Sequence, residues 1–198
     1  MRRTIPLKPL LLSLYLTLWI ALAIAPRYRE DWLLENLLVF IGLPLAIGLE
    51  RRYGFSTLGA ALLCLFFSLH AVGAHYTYAE TPFFSQLSQL IGLERNHFDR
   101  LVHFLFGFLL FVPLRDLLHH STSSGKLRNL LTVLILFSAS GLYEIVEWLA
   151  AMITHPELGL AFLGTQGDIW DAQKDMTAAH LGTLMAWGLW HKQARIKQ

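Results

Sequence analysis

Cysteine is almost missing from this 198-residue chain, the single one being Cys64. One thiol allows no intramolecular disulfide and says nothing about the redox compartment, and its place inside an apolar run gives it a packing role. Charge is scarce too: only 15% of residues are Asp, Glu, Lys or Arg, and the formal net charge is +2. The basic residues sit between apolar runs instead of forming a patch, so there is no nucleic-acid footprint. A Gly-rich phosphate loop, an arginine cluster and a Ser or Cys nucleophile on a recognisable elbow are also lacking, which removes the commonest phosphate-binding and covalent-catalysis signatures. No internal repeat or low-complexity linker divides the chain, so 1–198 is read as a single helical domain.

Apolar residues fill the space that these absences leave. At 55% hydrophobic, the composition is too apolar for an ordinary soluble domain and predicts an integral membrane protein with the lipid bilayer as its first partner. The apolar runs cover approximately 10–25, 33–49, 55–76, 98–114, 130–153 and 175–190. The fold class expected is therefore all-α, a polytopic membrane bundle of six transmembrane helices. At 1.5 Å per residue each run can cross about 30 Å of hydrocarbon, the first and fourth only marginally. The first run follows Arg2, Arg3 and Lys8 and ends Ala23-Ile24-Ala25, the outline of a secretory signal peptide. Pro26 directly after that point disfavours processing, so this run is read as an uncleaved helix.

Six spans place both termini on one side. That side collects Arg2, Arg3, Lys8, Arg51, Arg52, Arg115, Lys126, Arg128, Lys192, Arg195 and Lys197, against Arg27, Arg29, Arg95, Arg100 and Lys174 on the other. The excess predicts cytoplasmic termini. The longest connections, 77–97 and 154–174, then lie outside and are expected to fold over the outer end of the bundle.

Most unusual ionisable groups fall at that same end. If the last helix has begun by Asp168, a step of about 100° per residue puts Asp168, Asp171 and Asp175 in one sector, and Ala179, Gly182 and Ala186 continue it. Small residues mark the packing face of a membrane helix, so these acids are expected to point into the bundle. Asn96, Asp99 and His103 share a face of the fourth helix, and Ser140, Glu144, Glu147 and Ala151 a sector of the fifth. Acids at this depth cost several kcal/mol each unless paired, hydrated or liganded. Arg100 and Lys174 are too few to neutralise them, and a divalent cation fits the Asp/Glu/His set.

Simpler readings stand beside this one. Asp99 with His103 is also an intrahelical pair that would orient its helix. Asp168, after Gly167 and three before Asp171, is read first as an N-terminal cap. His70 and His75 lie about 140° apart on a helical wheel, so both cannot face one ligand. His180 is off the acidic stripe, and Trp148, Trp170 and Trp190 suit interfacial belts.

Four segments in order carry a family likeness: His70-Ala-Val-Gly-Ala-His75-Tyr-Thr-Tyr78, Arg95-Asn-His-Phe-Asp99-Arg-Leu-Val-His103, Tyr143-Glu144-Ile-Val-Glu147-Trp, and Gly164-Thr-Gln-Gly167-Asp168-Ile-Trp-Asp171-Ala-Gln-Lys-Asp175. From about residue 5 to 190 the chain resembles the YjdF-type bacterial inner-membrane proteins. More distantly, the Asp99/His103, Glu144 and Asp168/Asp171/Asp175 segments resemble the VanZ-like membrane proteins. These likenesses imply the bacterial inner membrane, a helical scaffold and an envelope role, and supply no reaction.

The residues themselves suggest a metal-dependent hydrolase or transferase acting on a phosphate or ester of a lipid or cell-envelope precursor. Zinc, manganese or magnesium would be held by Asp99, His103, Glu147, Asp171 and Asp175, with Glu144 as general base and His75 as proton donor. A cation- or proton-coupled transporter or sensor, and a non-catalytic scaffold whose buried ions fix helix register, are the alternatives. Transport would need a polar path through the inner halves, yet Phe104–Val112 and Leu130–Phe137 are almost wholly apolar.

Overall fold

The structure, a computed structural model, describes residues 7–196, with side chains described as far as Lys192. Nine α-helices follow in order among these residues: α1 (Leu7–Leu22), α2 (Arg29–Glu35), α3 (Leu37–Tyr53), α4 (Thr57–His75), α5 (Pro82–Leu90), α6 (Phe98–Leu117), α7 (Gly125–Ile153), α8 (Pro156–Leu163) and α9 (Asp171–Ile196). No strand occurs among the described residues. Local chemistry sets several boundaries. Ser56 Oγ accepts the Gly59 N–H at the start of α4, and Ser124 Oγ accepts that of Leu127 at the start of α7. Gly164, in the left-handed region at φ 60°, ends α8.

Among the described residues four segments are long and apolar enough to cross a membrane: Arg29–Tyr53, Thr57–His75, Phe98–His120 and Gly125–Ile153, with Leu7–Leu22 as a shorter apolar helix. The expected second span contains a break, at the fully buried Asn36 between α2 and α3. Its amide donates to the Trp32 carbonyl at 2.7 Å and its carbonyl oxygen accepts the Trp19 indole N–H at 2.6 Å. The run expected at 175–190 lies in α9, which has the length but is not among the apolar segments. Acids in its first turns, His180 and a succession of small residues lower its hydropathy.

α6 is the central helix, packed most extensively on α9 and then on α4. The α6–α9 crossing is backbone against backbone. A Cβ placed on Gly107 would lie 1.9 Å from the Ala179 carbonyl oxygen, and one on Gly182 would lie 1.9 Å from that of Phe104. The small-residue stripe of α9 thus faces α6, with Ala179 and Ala186 buried. Phe66, Phe98, Val102 and Leu109 fill the α4–α6 contact. Phe111, Val112, Val133 and Leu136 fill the contact with α7. Tyr15, Val39, Phe67 and Ala71 hold α1 and α3 against α4.

Large apolar side chains such as Leu14, Ile20, Ile41, Leu45, Leu142 and Leu149 point outward, as a lipid-facing surface requires. Of the basic residues that predict orientation, Arg2, Arg3 and Lys197 lie outside the described residues, as does the side chain of Arg195. Lys8 is paired with Glu50 at 2.8 Å.

Candidate metal centre

The end of α4, the start of α6, the last turns of α7 and the start of α9 meet at one end of the bundle. The polar cluster there is built in two parts, and the first is an arginine clamp. Asp171, on the first turn of α9, receives Arg95 Nη2 at 2.6 Å and Arg100 Nη2 at 2.6 Å. Arg100 also donates to the Asp171 carbonyl at 3.0 Å, and its Nη1 lies 3.2 Å from Asp175. Arg95 reaches further, to the carbonyls of Thr165 and Gly164 and to within 3.7 Å of Asp99. Guanidinium forks suit such multiple carboxylate and carbonyl contacts.

The helix begins at Asp171 and not at Asp168, and Gln166 and Gly167, with positive φ of 48° and 85°, lie in the turns before it. Asp168 sits in the turn before it. There it accepts the Trp170 N–H at 3.1 Å and the Lys174 ammonium at 2.6 Å. The Lys174 contact, then the Trp170 N–H, holds its carboxyl below the usual carboxylate range.

The second part centres on His103. Its Nε2 lies 3.5 Å from Asp99 and its Nδ1 lies 3.6 Å from Glu144, so the ring stands between carboxylates on α6 and α7. Two overlapping sets of donors share it: Asp99, His103 and Asp175, and His103, Glu144 and Glu147. Within each set the ligand atoms lie within 4.8 Å of one another. Side chains of Asp99, His103, Glu144 and Asp175 are each at most 13% exposed. Oε1 of Glu144 and Oδ1 of Asp175 have no hydrogen-bond partner. Paired imidazole and carboxylate donors at this spacing are a ligand set for zinc, manganese or magnesium.

A cavity of about 50 Å³ adjoins the ring, and its polar lining is Asp99, His103, Glu147, Tyr143, Ser140, Glu35, His70 and Tyr78. Phe66, Phe106 and Phe162 make its apolar walls, and α8 contributes Ala161 to Gly164 as its roof. That volume has room for roughly three or four water-sized groups. His70 Nε2 meets the Glu35 carbonyl at 3.0 Å, where it can only donate, so in the neutral ring Nδ1 accepts the Tyr78 hydroxyl at 2.5 Å. Burial, then the nearby Glu35 and Asp99 carboxyls, pushes the Tyr78 hydroxyl well above its ordinary range and keeps it a donor. Tyr78 reaches His70 through a backbone reversal in which Thr77 and Tyr78 adopt φ of 50° and 49°. A β-branched residue rarely occupies this region, so the turn stores strain beside the cavity.

The structure brings Asp99, His103, Glu144, Glu147 and Asp175 together. Asp171 is nearby but joins neither donor set, being held by the two arginines. His75 is elsewhere: its Nδ1 meets the Leu22 carbonyl at 2.7 Å and its ring packs on Tyr76. His180 stacks on Phe137 with ring centroids 3.8 Å apart. Sequence reasoning missed Arg95, Tyr78 and Tyr143 as members of the site and passed over Asp31 and Glu35. Glu35 did carry a signal, since an isolated acid inside an apolar span marks a functional position by default. Arg95 carried none, because its partners Gly164, Thr165 and Asp171 are distant in sequence.

Residues 7–195 match the family described as "Predicted membrane protein (DUF2238)". The chain is also 36% identical over 184 residues to "Inner membrane protein YjdF" of Escherichia coli (strain K12), covering 90% of this chain and 88% of that one. It therefore belongs to this membrane-protein family. No solved structure matches it. These matches lend no support to the VanZ-like resemblance.

Proposed function

We propose that the His103 cluster is a divalent-metal centre, and that this member of the family is a metal-dependent hydrolase or transferase for a phosphate or ester group of a lipid or envelope precursor. The observation that carries this reading is the pair of donor sets sharing His103 beside a cavity. In this reading the protein lies in the cytoplasmic membrane with both termini inside, and the cluster opens outward. Asp99, His103 and Asp175 would hold the cation, and Glu147, in the second donor set that shares His103, is the further ligand candidate. A bound divalent ion supplies Lewis acidity and lowers the pKa of water.

The chain's own groups do the rest. Glu144, whose Oε1 is unpartnered, takes a proton from water. Tyr143, which lines the cavity, serves the leaving group in the donor role expected of His75. Asp171 acts as an anchor that holds Arg95 and Arg100 in place. Those guanidiniums concentrate positive charge at the site end, and an anionic headgroup can compete for them.

Elemental analysis of detergent-purified protein tests the proposal. A divalent ion dependent on the His103 cluster is expected in the parent and in Glu144→Gln, and the metal content is expected to fall by one ion per chain in Asp99→Asn or Asp175→Asn that remain folded. Metal absent from the parent after reconstitution with zinc, manganese and magnesium would refute it.

A further inference from the structure

Two carboxylates on α2, Asp31 and Glu35, have no Lys or Arg partner among the described residues. Asp31 is 1% exposed and neither of its carboxylate oxygens has a hydrogen-bond partner; Glu35, one helical turn later on α2, is 4% exposed and its Oε2 has none. Among the described residues neither forms an ion pair. The basic residues nearest in sequence are engaged elsewhere: Arg27 binds Glu80 at 2.6 Å, and Arg29 donates to the Ala23 carbonyl and lies over the Trp32 ring.

The pair also sits on a boundary. Asp31 lines a vestibule of about 1020 Å³, Glu35 lines the cavity beside His103, and Thr77, Ala161 and Gly164 line both. Buried carboxylates without compensation cost several kcal/mol each, and two of them an i, i+4 step apart repel. Thr77, held in the strained left-handed turn, faces the same boundary.

We propose that Asp31 and Glu35, with Thr77, form a second cation site, separate from the His103 centre and placed where the vestibule meets the cavity. Its side-chain donors are all oxygen, with no imidazole or thiolate, so the ligand is a hard divalent cation of the magnesium, manganese or calcium class and not zinc. Two carboxylates from one helical turn neutralise such an ion and explain why no Lys or Arg is supplied. The site does not depend on the chemistry proposed for His103.

Manganese provides the probe, counted by the electron paramagnetic resonance signal of the free ion as metal-stripped, detergent-purified protein is titrated. Removing the first centre with His103→Gln should leave one bound Mn²⁺ per chain. Adding Asp31→Asn or Glu35→Gln to that background should weaken it more than the ~10–100-fold seen when an outer-shell partner is lost. Thermal unfolding guards against a misfolded variant. Without metal, Asp31→Asn should melt at or above the parent temperature, because an unpaired buried charge is gone, and Mn²⁺ should raise the melting temperature of the parent but not of the variant.

No bound Mn²⁺ in the His103→Gln protein, or equal binding with and without Asp31→Asn, overturns the second site. The same single Mn²⁺ in the parent and in His103→Gln, lost only on Asp31→Asn, would count against the first centre and support the second.

Discussion

Substituting alanine for Gly107 or Gly182 tests the architecture that assembles the site. Each new Cβ would lie 1.9 Å from a backbone oxygen of the facing helix. The next contacts at Gly182, 2.9 and 3.0 Å to Phe104 C and Phe108 N, are backbone as well. An ordinary C···O approach is about 3.3 Å, so α6 and α9 must part by roughly 1.4 Å at the crossing, and no side-chain rotation relieves this. Overpacking typically costs 1–3 kcal/mol; with backbone on both sides the expectation is about 3 kcal/mol for either substitution. On the scale of soluble chains of this size that is a fall in melting temperature of around 6–12 °C.

The control is in the same helix. A Cβ on Gly188 meets nothing within 4 Å, so Gly188→Ala should be neutral or stabilising by up to ~1 kcal/mol from helix propensity alone. Thermal unfolding of the detergent-solubilised protein, followed by tryptophan fluorescence, compares the three. Equal melting of Gly107→Ala, Gly182→Ala and Gly188→Ala would refute backbone contact at the crossing.

Arg100→Ala leaves Asp171 and Asp175 short of a buried cation and should cost about 3–5 kcal/mol in thermal unfolding. Arg100→Lys should recover only part of this, since one ammonium cannot span the contacts of the guanidinium fork. Tyr78→Phe leaves His70 Nδ1 unpaired in a buried site and should cost about 1–3 kcal/mol, read by denaturant titration. Because the folded value of Asp168 is depressed, its stabilising contribution should be complete above the unfolded value near 3.9 and be lost as pH falls through the folded value. Asp168→Asn should therefore flatten the acid limb of a melting-temperature profile below about pH 4, and an unchanged limb would show that Asp168 is not held by Lys174.

The parts of the site that could be read in the sequence lie within single helices. Asp171, Asp175, Ala179, Gly182 and Ala186 recur at three- and four-residue steps, so their common face follows from helix geometry, and burial of that face follows from its small residues. Asp99 with His103, and Glu144 with Glu147, are legible for the same reason. The choice between His70 and His75 was not. Their angular separation shows that only one can face the cavity, but which one depends on the Thr77–Tyr78 reversal that carries the tyrosine hydroxyl back to His70. A left-handed threonine leaves no periodic signature. The start of α9 at Asp171, between the alternatives of Asp168 and Asp175, is likewise without a periodic signal, since Gln166 and Gly167 turn the chain before it.

The carboxylates at the site end divide by what neutralises them. Asp168, Asp171 and Asp175 are met by Arg95, Arg100 or Lys174, and these ties join α9 to the chain at the start of α6. Asp31, Glu35, Glu144 and Glu147 have no Lys or Arg partner among the described residues, and they come from α2 and α7, the helices on the other sides of the cavity. If these acids only set helix register, each would be expected to carry a cationic side chain, because an unpaired buried carboxylate destabilises the packing it is meant to specify. Arginine is spent instead on the rim, where it fixes α9, while the acids facing the interior are left for something that is not a side chain. Substituting the rim should therefore melt the bundle, whereas substituting Asp31, Glu35 or Glu147 with its amide should leave it folded and weaken its hold on what it binds.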